Sequence, residues 1–80
     1  MAIDTKRYEE YCEKRAEIEA RSKVQRELGH FAFENIERCK KERNFTEMSA
    51  WLSVVKNSTA ALNELNTKYN DLIKEYKDVV

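Results

Sequence analysis

The sequence predicts an all-α chain: a long antiparallel helical hairpin that self-associates into a four-helix or larger bundle. Three observations point that way. The 80 residues contain no Pro and one Gly, 38% of them are charged, and strong helix formers dominate. A heptad pattern of apolar residues runs through the C-terminal half. Apolar side chains also occupy more of the helix circumference than one neighbouring helix can cover. A chain this short makes a single domain, residues 1–80, and buries a small share of its surface, so partners have to make up the shortfall.

The first helix is expected over about residues 4–42, where only Gly29 interrupts strong helix formers, at a cost of about 1 kcal/mol relative to Ala. Opposite charges four residues apart support it on the exposed side: Glu10 with Lys14, Glu17 with Arg21, Glu19 with Lys23 and Glu34 with Arg38. Tyr8, Cys12, Ala16, Ala20, Val24 and Leu28 recur every four residues, and this stripe, continued by Phe31 and Cys39, is expected to face the second helix. A break at Gly29, giving a three-helix monomer, is the competing arrangement.

The break between helices is expected in "KKERNFTE", with a turn at about 43–45. Asn44 either takes the left-handed position that ends a helix or caps the next one, and Glu47 follows it at capping-box spacing. A turn this short folds the helices back antiparallel. Residue 36 then lies beside about residue 52, and residue 28 beside about residue 60.

The second helix, about 45–79, has the clearest periodicity in the chain. Its a positions are Met48, Val55, Leu62, Tyr69 and Tyr76, and its d positions are Trp51, Ser58, Leu65, Leu72 and Val79. Ser58 is the polar member of that seam and is expected to be buried.

Charge is unevenly spread. From Asn44 to Thr67 only Glu47, Lys56 and Glu64 are charged, whereas 21 of the 40 residues from Asp4 to Arg43 are. "LGHFAFENI" and "WLSVVKNST" pair across the hairpin in a charge-poor window, so the densest core is expected near the turn. Phe31 and Phe33 point about 160° apart on the first helix, and Leu52, Val54 and Ala61 flank the seam of the second. This two-sided apolar surface implies further helices, most simply from a second copy of the chain. The expected interface is Phe31, Phe33, Trp51, Leu52, Val55, Leu62 and Leu65. Gly29 is expected to permit close approach near Thr59, Ala60 and Ala61.

Chemistry is sparsely signalled. No catalytic residue, metal or cofactor is expected: His30 has no adjacent nucleophile, and one Gly makes no phosphate loop. Glu27-Leu28-Gly29-His30 has the spacing used in di-metal bundles, but both side chains point well off the inward stripe. A polar ligand is the alternative function, held by Asn57, Asn63, Asn66 and Asn70 with His30 or Trp51 stacking, against the blander reading of a solvated face. Arg38, Lys40, Lys41 and Arg43 are candidate phosphate contacts, but interspersed Glu37 and Glu42 and a net charge of zero disfavour nucleic acid. The sequence therefore reads as a non-enzymatic interaction module whose partner is itself, with a dimer favoured. It acts as scaffold, adaptor or small regulator, with another protein or a small polar ligand as further partners. No segment has the apolar length of a signal or a membrane span, and two Cys about 40 Å apart on one helix cannot pair, so a cytoplasmic protein is expected.

Overall fold

The computed structural model describes residues 4–80; residues 1–3, part of the N-terminal segment read above, lie outside them. The described residues form two α-helices, α1 (Thr5–Glu42) and α2 (Phe45–Glu75), packed against each other along a rod 64 × 15 × 11 Å. Asp4 starts α1 by accepting from the Arg7 amide at 3.2 Å. Arg43 ends it in the left-handed conformation at φ 56°, and the Asn44 amide donates back to the Cys39 carbonyl at 2.9 Å. Of the two roles open to Asn44, capping is the one adopted: its side chain accepts from the Glu47 amide at 3.2 Å. The helix runs unbroken through Gly29, so the three-helix alternative does not occur.

Along α2 the heptad holds. Ser58, Leu65, Leu72 and Tyr76 are buried, and Met48, Trp51, Val55, Leu62, Tyr69 and Val79 are half-buried. The helix stops at Glu75 rather than running to 79. Arg7 donates to the Glu75 carbonyl and to both carboxylate oxygens of Asp78, and the amides of Val79 and Val80 turn back onto the Tyr76 carbonyl. A cation from the first turn of α1 thus satisfies a terminal carbonyl of α2, which an antiparallel pair brings together.

The stripe expected to face α2 is corrected. Tyr8, Cys12, Ala16, Ala20, Val24, Leu28 and Phe31 are all exposed; of that set only Cys39 is buried. The inward face of α1 is instead Tyr11, Ile18, Ser22, Gln25, Gly29, Ala32, Ile36 and Cys39, alternating steps of three and four residues after Ile18. Much of this seam is small or polar, because α2 supplies the bulk. A four-residue repeat drifts about 40° per step around a helix and cannot follow a straight neighbour. Gly29 faces Ser58 rather than Thr59–Ala61: a Cβ there would lie 3.5 Å from the Ser58 Oγ.

The position of the densest core is also corrected. The buried apolar cluster is Tyr11, Leu72 and Tyr76 with Ile18 and Val79 against it, at the end away from the turn. Tyr76 is the anchor there. Its hydroxyl accepts from Lys14 Nζ at 2.9 Å and donates to Glu10 at 3.4 Å, and the Arg7 guanidinium lies 4.7 Å from its ring centroid. Nearer the turn Ala32 and Cys39 are fully buried and Ile36, Trp51 and Val55 half-buried, while Phe31, Phe33 and Leu52 stay exposed.

Candidate functional site

Several exposed apolar side chains in the middle and turn half of the hairpin fall on two flanks, while Tyr8 and Val80 are exposed at the open end and Phe45 at the turn. On one flank Phe33, 57% exposed, borders a shallow groove of about 310 Å³ with Val55, Thr59 and Leu62, floored by Gly29 and Ser58. Leu52, 52% exposed, precedes Val55 and Thr59 by three and seven residues and so stands on the same side of α2. Arg26 and His30 complete the rim. Arg26 and Leu62 also line the adjoining depression with Ile18, Ser22, Asn66 and Tyr69, so the groove continues along the rod.

The opposite flank is built differently. Val24, Leu28 and Phe31 follow each other at helical spacing, and the Trp51 ring meets Phe31 edge to face, 5.4 Å between centroids. Beside Val24 the surface is fenced by Arg21, Glu64 and Lys68. The two phenylalanines therefore differ in company: Phe31 has an aromatic partner within the chain, while Phe33 stands beside an open groove.

Of the residues expected to form an interface, Phe31, Phe33 and Leu52 are exposed, and Trp51, Val55 and Leu62 are half-buried. Leu65 is corrected: it is buried against α1 inside the hairpin and presents almost nothing to a partner.

The expected ligand set is not assembled. Asn66 lines the groove, but Asn57 lies on the other side of α2, and the exposed Asn63 and Asn70 sit further round the helix than Asn66. Trp51 turns toward Phe31 on the flank opposite His30. His30 is exposed and pairs with Glu34 at 3.2 Å on its own helix, where Glu27 takes no part.

The basic turn is organised around one acid that sequence reasoning treated only as a cap. Glu47 accepts from the Cys39 thiol at 2.9 Å and from Arg38 at 2.8 Å, and Arg38 also binds Glu42 at 2.8 Å. These donors, the thiol foremost, hold the Glu47 carboxyl below its ordinary range. Burial, then the nearby carboxylate, pushes the Cys39 thiol up. Arg38, though exposed, is thus paired within the chain, while Lys40, Lys41 and Arg43 stand exposed at the tip. The free thiols differ in access, Cys12 exposed and Cys39 buried. The i,i+8 spacing of Cys39 and Glu47 across a tight turn was the available signal for this network. No helix among the described residues is long and apolar enough to cross a membrane.

Against known proteins, the chain matches no protein-family model, no curated protein and no solved structure.

Proposed function

We propose that this protein is a non-enzymatic helical interaction module that works as a homo-oligomer, most simply a dimer forming a four-helix bundle. The observation that carries the reading is surface. The chain exposes 6350 Å², whereas a compact monomer of 9.5 kDa exposes about 5000 Å². A standard interface removes about 800 Å² from each partner, which the excess more than supplies. Five of the exposed large apolar side chains, Leu28, Phe31, Phe33, Phe45 and Leu52, lie in the charge-poor half. Zero net charge adds no repulsion between copies. Sedimentation equilibrium tests this directly: a mass of two or more chains across the micromolar range is expected, and a single-chain mass at high concentration overturns it.

A further inference from the structure

The geometry points to one flank as the surface on which the second copy docks: the groove lined by Phe33, Val55 and Leu62 and floored by Gly29 and Ser58, with Leu52 on the same side of α2. This deepens the homo-oligomer reading and rests on it. Two features select this flank over the one carrying Phe31. The first is aromatic company: Phe31 and Phe33 are exposed alike, 54% and 57%, but Phe31 sets one edge against Trp51 while Phe33 lines an open groove. The second is charge: among the residues lining the Phe33 groove only Arg26 is permanently charged, and on the other flank the Val24 end is fenced by Arg21, Glu64 and Lys68, which would have to lose water on docking. A twofold pair uses the same patch on both copies, so one surface has to carry both projection and recess. This flank does, with Phe33 and Leu52 projecting and the groove over Gly29 and Ser58 forming the recess. Helix-on-helix docking of this kind is the knob-and-hole packing of four-helix bundles.

The test compares single substitutions by sedimentation equilibrium, with far-UV circular dichroism confirming retained helix. All the substituted side chains are about half exposed, so the hairpin itself survives their replacement. Phe33→Glu and Leu52→Glu are each expected to sediment as one chain, while Phe31→Glu keeps the mass of at least two. If Phe33→Glu and Leu52→Glu retain the wild-type mass, or if Phe31→Glu also reduces the protein to single chains, the assignment of this flank is overturned and self-association stands. A wild-type protein that is monomeric throughout overturns the homo-oligomer reading instead.

Discussion

The Ser58 hydroxyl donates to the main-chain carbonyl of Gln25 on the facing helix at 2.6 Å, fastening α2 to α1 at mid-rod. Ser58 is 3% exposed, and no buried side-chain polar atom among the described residues lacks a partner. Gly29, one turn on from Gln25, lies opposite the hydroxyl, and even a Cβ there would stand 3.5 Å away, at ordinary contact distance. Ser58→Ala removes the bond yet leaves the Gln25 carbonyl its place in the helix ladder. We expect a loss of about 1 kcal/mol, read as a fall in Tm of about 4–8 °C for a chain of this size.

Gly29→Ala is expected to stabilise the chain. Gly29 sits in mid-helix without positive φ, and a Cβ there meets Ser58 at ordinary contact distances of 3.5 and 3.9 Å. Ala therefore fits, and its lower backbone entropy in the unfolded chain is worth about 0.5–1 kcal/mol. Urea denaturation with an unchanged m-value and a higher midpoint is the expected result. A lower midpoint would mean that the helices approach too closely at Gly29 to admit a methyl group.

Glu47 gives the hairpin an acid dependence. Its carboxyl is held below the ordinary 4.5 by the Cys39 thiol and then by Arg38. A carboxyl whose folded pKa is depressed contributes stability above its unfolded value, and that contribution disappears as pH falls through the folded pKa. Glu47→Gln is therefore expected to lower Tm at neutral pH. The difference from wild type should begin to shrink as pH drops below the ordinary value and vanish at lower pH still. A constant difference across that range would show that the charge of Glu47 has no part in it.

The thiols should separate by reactivity. The Cys39 side chain is fully buried and its thiol is pushed up, first by burial and then by Glu47, whereas Cys12 is exposed. Attack on an aromatic disulfide requires an accessible thiolate. In native buffer one thiol per chain is expected to react fast and the other only after denaturation. Two fast thiols would contradict the packing at the turn.

The two helices differ in how far their sequences disclose their contacts. In α2 nearly every seam position is apolar, so a heptad counted from Met48 finds the buried face, with Ser58 inside it. In α1 the seam includes Ser22, Gln25, Gly29 and Ala32, and larger apolar residues such as Val24, Leu28 and Phe31 lie off it. Reading hydrophobicity as burial therefore selects the wrong stripe, because it assumes that each helix supplies its own bulk. The Glu47 network was hidden for a related reason. Its members come from both sides of the turn and meet only once Asn44 caps α2 and Arg43 bends the chain left-handed.

What the sequence by itself determined is local: two helices, their ends within a few residues, the turn and the seam of α2. Each depends on propensity, capping and periodicity among residues close in the chain. The tertiary structure alone decided which face of α1 turns inward, that the buried cluster gathers around Tyr76 at the open end, and that Phe31 packs on Trp51 while Phe33 lines a groove. Those outcomes depend on fitting one helix surface to another, which residues distant in the chain settle together and no local pattern records.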